Sequence, residues 1–283
     1  MDTIQPITID GIVNRYDALL FDAYGVLVDA AAALPGAVDL TRRLKAQRKP
    51  FFIVTNDASK LPTTAAARFQ GCGLAVEADD IITSGSLLAT YFAAHDLEGA
   101  SCLVLGPADS ASYVTQAGGR LVAAGEPFDA LIVADESGFP LLETLDVALS
   151  SLCQAIDAGR SVHLILPNPD LIYPQGGGRF GLAAGSVALI FEAALQARYP
   201  SGPKFARLGK PYGAIFAEAL HRSGTRNMVM IGDQLETDIK GAADFGIDSV
   251  WVTSGVSVNR SPASDVRPTF RLASLENSGV GHQ

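Results

Sequence analysis

Short, continuously apolar runs recur along the chain, and each stops at a polar residue or a glycine-containing turn. "DALLFD" ends at Asp22, "PFFIVTND" at Asp57, "NMVMIGD" at Asp233 and "DSVWVTSG" at Gly255. A strand covered on both faces has no polar side to alternate with, so these runs predict parallel strands of a doubly covered sheet. Helical patterns separate them: "GAVDLTRRLKAQ", "LPTTAAARFQGCG" and "PYGAIFAEALHRSG". The last has Pro211 at a first-turn position and ends at Gly224, a start and stop pair. The alternation predicts an α/β fold. In open parallel sheets ligands bind at the carboxyl ends of the strands, so Asp22, Thr55 and Asp233 are expected to meet there.

The middle of the chain repeats the rhythm. "SCLVLG", "DALIVAD" and "SVHLILPN" read as strands; "SASYVTQAGG", "PLLETLDVALSSLCQAIDAG" and "GSVALIFEAALQARY" read as helices. The block 86–203 is long enough for a domain of its own. "TSGS" (83–86) and "PSGPK" (200–204) have the composition of hinges. The expected organisation is therefore one domain from 1–85 and 204–283, with 86–203 inserted as a second. The tail "ENSGVGHQ" is expected to fray.

Composition narrows the function. The chain has 283 residues, of which 48% are hydrophobic and 18% charged, and this excludes a disordered chain. Its formal charge of −9 argues against nucleic acid or an anionic membrane as partner. A small anion held by a cation and a focused lysine is still compatible. Cys72, Cys102 and Cys153 are odd in number and lack ligand spacing, as free thiols in a reducing cytosol would. "MDTIQPITID" has neither the basic nor the apolar region of a signal peptide, and "SVALIFEAAL" meets a charge too early to span a bilayer. A soluble, cytoplasmic protein is expected.

Four short elements carry the chemistry: "FDAYGVL" (21–27), "VTND" (54–57), "GKP" (209–211) and "GDQLETD" (232–238). In this order they resemble the four motifs of the haloacid dehalogenase (HAD) superfamily of aspartate-nucleophile hydrolases. The insertion between the second and third motifs is similar to subclass IIA, which includes sugar-phosphate, 4-nitrophenyl phosphate, phosphoglycolate and pyridoxal phosphate phosphatases. "LPNPDLIYP" with the glycines after it (166–185) and "TSGV" (253–256) also match that group. The resemblance implies a Rossmann-like parallel-sheet core and an inserted α/β cap that governs substrate specificity; cap-mediated homodimers are common in that family, and no feature of this sequence decides the oligomeric state.

It also implies roles. Asp22 is the expected nucleophile, attacking phosphorus to form an aspartyl-phosphate. A carboxylate attacking a dianion needs charge neutralisation, the usual task of Mg²⁺ in phosphoryl transfer. The implied metal ligands are Asp22, Asp233 and the backbone carbonyl of Tyr24. Lys210 is expected to hold Asp22 and the phosphoryl group together. Thr55 and Asn56 would donate to phosphate oxygens, and Asp238 would steer water at the metal without touching the ion. Asn168, Asp170 and Arg179, in the loop around "QGGGRFG", are the candidate substrate contacts. Plainer readings compete: a strand-end Asp as turn former, Asp238 as an N-terminal helix charge, His163 as a structural histidine, Arg179 as a solvated arginine.

Tyr24 departs from the pattern. Phosphatases of this type carry a second Asp there, whose carboxyl protonates the leaving group and then activates water. Such help is typically worth about 10² to 10⁴ in rate, and a phenol with a pKa of about 10 is a poor base at neutral pH. A slow phosphatase of a small phosphorylated metabolite is the expectation. "DAYG" also resembles the L-2-haloacid dehalogenases, whose halide leaves without a proton. However, their cap precedes the second motif, whereas Asp22 and Thr55 are close in sequence here, and the acidic fourth motif points to a metal. Asp57 offers a third route, as a replacement acid/base, against the plainer reading of a helix cap before "ASKLP". The non-enzyme alternative is a phosphate-ligand binding or regulatory protein on a weakened hydrolase scaffold.

Overall fold

The computed structural model describes residues 4–29, 31–176, 178–253 and 266–276. Part of the "TSGV" match, Gly177 and nearly all of the tail expected to fray lie outside the described residues. In chain order the first strands are β1 Gln5–Pro6, β2 Ala18–Phe21, β3 Phe51–Thr55, β4 Ile81–Thr83, β5 Ser101–Leu105, β6 Arg120–Leu121 and β7 Ala130–Val133. They are followed by β8 His163–Leu166, β9 Ile172–Gly176, β10 Arg179–Leu182, β11 Ala206–Arg207, β12 Met228–Gly232, β13 Asp248–Val252 and β14 Phe270–Leu272. The helices are α1 Ile9–Arg15, α2 Ala37–Ala46, α3 Pro62–Gly71, α4 Leu87–Ala94 and α5 Ala108–Gln116. After them come α6 Leu141–Asp157, α7 Ala184–Arg198, α8 Gly213–Ser223 and α9 Lys240–Phe245. No helix among the described residues is long and apolar enough to cross a membrane.

The chain forms two compact units. The first comprises the chain up to Thr55, Pro62–Ile82 and the chain from Lys210 onward; the second comprises Asn56–Leu61 and Thr83–Gly209. The second unit thus takes in the short stretch 56–61 as well as the inserted block.

The first unit is built on a sheet of order β1-β14-β13-β12-β2-β3-β4. Strand β2 lies between β12 and β3, parallel to both, with Ile231 and Ile53 flanking Phe21. Leu19, Leu20, Phe21, Ile53, Val229, Ile231 and Val250 are fully buried. Burying each such side chain stabilises by about 1.5–3 kcal/mol, which explains why these strands are apolar throughout. Helix α2 covers the sheet through Ala37, Leu40, Thr41 and Leu44, the spacing of one helical face. Helix α8 begins at Gly213, after Pro211 rather than with it, and stops where Gly224 turns left-handed at φ 68°.

The second unit has a sheet of order β11-β8-β7-β5-β6, again parallel in its resolved pairings. Leu103, Leu131, Val133, Leu164 and Leu166 pack with Val187 and Phe191 of α7 and Leu152 of α6. Its β9–β10 hairpin was not legible in the sequence. The ribbon is two-stranded, and Leu171, Ile172, Tyr173, Phe180 and Leu182 are all exposed, so no buried face imposes the usual alternation.

Candidate active site

The site assembles at the carboxyl ends of β2, β3 and β12. Asp22 follows β2, Asp233 follows β12 and Thr55 closes β3, and since these strands are neighbours their tips converge. Asp22 is held there by its own backbone, whose N–H donates to the Ile231 carbonyl at 2.9 Å. Its Oδ1 accepts the Ala23 amide at 2.8 Å and the Lys210 ammonium at 2.7 Å. Beyond β12 the chain makes a single wide helical turn, Leu235–Ile239, and this brings Asp238 back to the strand end. Its Oδ1 accepts a second hydrogen bond from Lys210 Nζ at 2.7 Å, while Oδ2 accepts the Gln234 amide at 3.1 Å. Asp233 is fully buried, and Trp251 Nε1 donates to its carbonyl at 3.2 Å.

Asp22, Asp233 and Asp238 each place a carboxylate oxygen within 4.8 Å of the others. Lys210, 3% exposed, pairs with two of them. Burial works against its charge, yet Asp22 and Asp238 outweigh that and hold the ammonium above its ordinary range. For Asp238, burial pushes the carboxyl up, Lys210 pulls it down, and Asp22 and Asp233 push it up again, leaving it at about 8. Burial acts on both residues, and the ammonium that Asp22 and Asp238 share opposes it. A hard divalent cation fits such a group, because its donors are all carboxylate oxygens and their surplus negative charge calls for one. The turn after Asp22 makes room. Gly25 has φ +85°, and a Cβ there would lie 2.5 Å from Asp233 Oδ2, so only glycine allows both the turn and the approach.

Tyr24 sits in this turn, half-buried. Its ring packs against the apolar core of the unit, with the Arg68 guanidinium carbon 5.0 Å from the ring centroid. Arg68 escaped the sequence reading, since nothing in "AAARFQG" points a side chain at a turn so far away. The Lys210–Asp238 pairing escaped it too. The resemblance implies a role toward water for Asp238; in the structure its Oδ1 accepts from Lys210 and its Oδ2 from the Gln234 amide.

The remaining candidates lie in the second unit. Asn56 Nδ2 donates to Asp170 Oδ1 at 2.8 Å. Asn168 Oδ1 accepts the Asp170 amide at 3.0 Å, closing a turn within the loop. Arg179 is exposed on β10, opposite Gly176. The Asp57 Oδ1 accepts the amide and hydroxyl of Ser59, each at 2.7 Å, and its Oδ2 faces Lys60 at 3.1 Å. His163 stacks edge-on with Tyr91 and His95, and burial and then His95 hold its imidazole below the usual range, as befits a structural histidine.

Comparison with known proteins gives the family. A haloacid dehalogenase-like hydrolase model matches residues 19–120, and a HAD-hydrolase-like model matches residues 207–278. The dihydroxyacetone phosphatase of Corynebacterium glutamicum (strain R) is 29% identical over 90% of this chain and 88% of its own length. The acid sugar phosphatase of Staphylococcus saprophyticus is 25% identical over 93% of this chain and 96% of its own. Among solved structures, a possible sugar phosphatase of the HAD superfamily from Cytophaga hutchinsonii is 30% identical, with a TM-score of 0.81 covering 96% of this chain and 99% of that one. With its Rossmann-like core, its inserted α/β unit and a strand-end aspartate cluster at the matched motifs, the chain belongs to the haloacid dehalogenase superfamily of hydrolases.

Proposed function

We propose that the protein is a Mg²⁺-dependent phosphatase of small phosphomonoesters that works through an aspartyl-phosphate on Asp22. The observation that carries this reading is the placement of Lys210, whose ammonium is 2.7 Å from both Asp22 and Asp238 in a buried, acidic cluster. A strand-end aspartate that only ended a strand would need no buried cation. The relatives hydrolyse small phosphate esters by name, one a triose phosphate and another sugar phosphates.

In this reading Asp22 attacks the phosphorus atom, and the leaving alkoxide departs in line with the new bond. Lys210 holds the Asp22 carboxylate through a 2.7 Å hydrogen bond and neutralises charge on the phosphoryl oxygens. The Thr55 hydroxyl donates to one of those oxygens, and Asp238 fixes the ammonium. Asp22, Asp233 and the Tyr24 carbonyl would hold Mg²⁺, which when bound neutralises the phosphate dianion that a carboxylate must approach. The residues of the inserted unit select the substrate. Tyr24 limits the reaction, because a phenol packed against the core and under Arg68 accepts a proton from water poorly at neutral pH. Turnover is then slow and governed by hydrolysis of the phospho-enzyme.

A panel of small phosphomonoesters, assayed with Mg²⁺ and with excess chelator, tests the reading. The expected result is metal-dependent release of phosphate, with a burst followed by slow turnover. Acid quenching should leave a phosphorylated peptide that contains Asp22. Tight binding of phosphorylated metabolites with neither turnover nor a phosphorylated Asp22 would overturn it in favour of a regulatory protein.

A further inference from the structure

Asn56 and Gly209 are the residues of the second unit bonded directly to Thr55 and Lys210 of the first. Both meet one small polar knot. Asn56 gives its side-chain N–H to Asp170 Oδ1 at 2.8 Å, and its backbone carbonyl accepts the Ser84 hydroxyl at 2.7 Å. Its other side-chain atom, Oδ1, lies against Gly209, where a Cβ would stand only 2.5 Å away. Gly209 in turn donates its N–H to the Pro167 carbonyl at 2.9 Å. The loop that supplies Asp170 is itself fixed. Asn168 Oδ1 accepts the Asp170 amide at 3.0 Å, and the Asp170 carbonyl accepts the Gly185 amide at 2.9 Å in the first turn of α7.

We propose that Asp170 is a positioning residue for the hydrolytic reaction: through the Asn56 side chain it fixes the two peptide links that carry Thr55 and Lys210. The physical case rests on burial and donor matching. Asn56 is 5% exposed, so its amide cannot turn freely to water, and a carboxylate partner orients it more firmly than a neutral one would. With Nδ2 committed to Asp170, Oδ1 is set against Gly209, and a bulkier residue at 209 would collide with it. The amide therefore spaces the chain after Thr55 from the chain before Lys210. The role in catalysis rests on the assignment of Thr55 and Lys210 made above; the knot itself does not. It also gives Asp170 and Asn56 work other than touching substrate or phosphate, which the sequence had assigned to them.

The test is a charge reversal within the pair. Asn56→Asp sets two carboxylates face to face, and the combination Asn56→Asp with Asp170→Asn restores an amide donor opposite a carboxylate acceptor. With 4-nitrophenyl phosphate and Mg²⁺, the single variant is expected to lose about a hundredfold in kcat, the cost typical of a misplaced reacting group. KM should change by less than about threefold, since alignment matters more in the transition state than in the bound ground state. The reversed pair is expected to recover at least about tenfold of that loss. Hydrogen exchange at the Gly209 amide gives a readout free of turnover: faster in the single variant, restored in the pair. If Asn56→Asp does not fold, Asp170→Ala takes its place and should shift kcat and exchange in the same direction. A Gly209 amide as protected as in the wild type, or a reversed pair no better than the single variant, would overturn the proposal. If the wild type hydrolyses no phosphomonoester, the assigned function falls, and the exchange measurement still decides whether the knot exists.

Discussion

Strands β7 and β12 read almost alike, "ALIVAD" against "MVMIGD", each apolar, each inside a parallel sheet and each followed closely by an aspartate. The two aspartates have opposite fates. Asp135 bends back on its own chain, where one carboxylate oxygen accepts the amide of Ser137 at 3.0 Å and its hydroxyl at 2.5 Å. Asp233 is fully buried, lies against Gly25, and shares its surroundings with Asp22 and Asp238. The strands themselves do not make the difference. Beside β12 runs β2, followed by Asp22, and the turn after β12 returns Asp238; beside β7 run β5 and β8, followed by Gly106 and Pro167. An aspartate after an apolar strand is a turn former until neighbouring strands bring it acidic company and a cation.

The widest contrast expected is in activity. Asp22→Asn should lower kcat/KM for a phosphomonoester by at least about 10⁴-fold, as removal of a nucleophile does. Asp135→Asn should change it less than about twofold, because an amide oxygen still accepts from Ser137. Steady-state kinetics on both variants decide the matter, and equal losses would break the comparison. The next contrast is in stability. Lys210→Met leaves buried carboxylates without their ammonium and is expected to cost about 3–5 kcal/mol in denaturant unfolding. Ser137→Ala, which removes one hydrogen bond from the Asp135 turn, should cost about 1 kcal/mol.

The sequence made one side of this contrast legible. Apolar runs ending in polar residues located β2, β3 and β12, and the order of four motifs picked Asp22, Thr55, Lys210 and Asp233 out of many candidates. It could not tell that Asp238 would face Lys210, since that depends on how one wide helical turn closes after β12. The Arg68 contact with Tyr24 and the Asn56 contact with Asp170 escaped for a related reason. Each joins side chains far apart in sequence, and periodicity reports which face a residue occupies, not which distant residue it meets. The β9–β10 hairpin escaped because its apolar residues are exposed and carry no burial pattern.

Tyr24 sharpens the comparison from within the site. If the buried cluster is complete apart from its proton donor, Tyr24→Asp should raise kcat by about 10²-fold, the low end of what a general acid–base residue supplies. Arg68 is 5.0 Å from the present ring, and a carboxylate in its place would be kept ionised by that guanidinium, which favours the base role over the acid. The gain should therefore appear in the slow phase after the burst more than in the burst itself. Pre-steady-state kinetics separate the two, and an unchanged slow phase would mean that the scaffold lacks more than this one carboxyl.

The smallest effect expected is at Asp57, which the second motif places one residue beyond Asn56. Its carboxylate repeats the Asp135 arrangement, an aspartate accepting the amide and the hydroxyl of the serine two residues on, here Ser59 at 2.7 Å for both. Its other oxygen faces Lys60 at 3.1 Å, and Lys60 is tied down in turn, its carbonyl accepting the Tyr113 hydroxyl at 2.5 Å. A carboxylate so occupied is a turn former with a partly exposed ion pair, worth about 0–1 kcal/mol. Asp57→Asn retains the acceptor for Ser59 and removes the charge opposite Lys60, so turnover should stay within about threefold of the wild type. A fall of tenfold or more, with unfolding unchanged, would place Asp57 alongside Asp233 as a chemical group rather than alongside Asp135. It would also show that a serine-closed turn can hold a proton-transfer residue, contrary to the distinction drawn between the two strands.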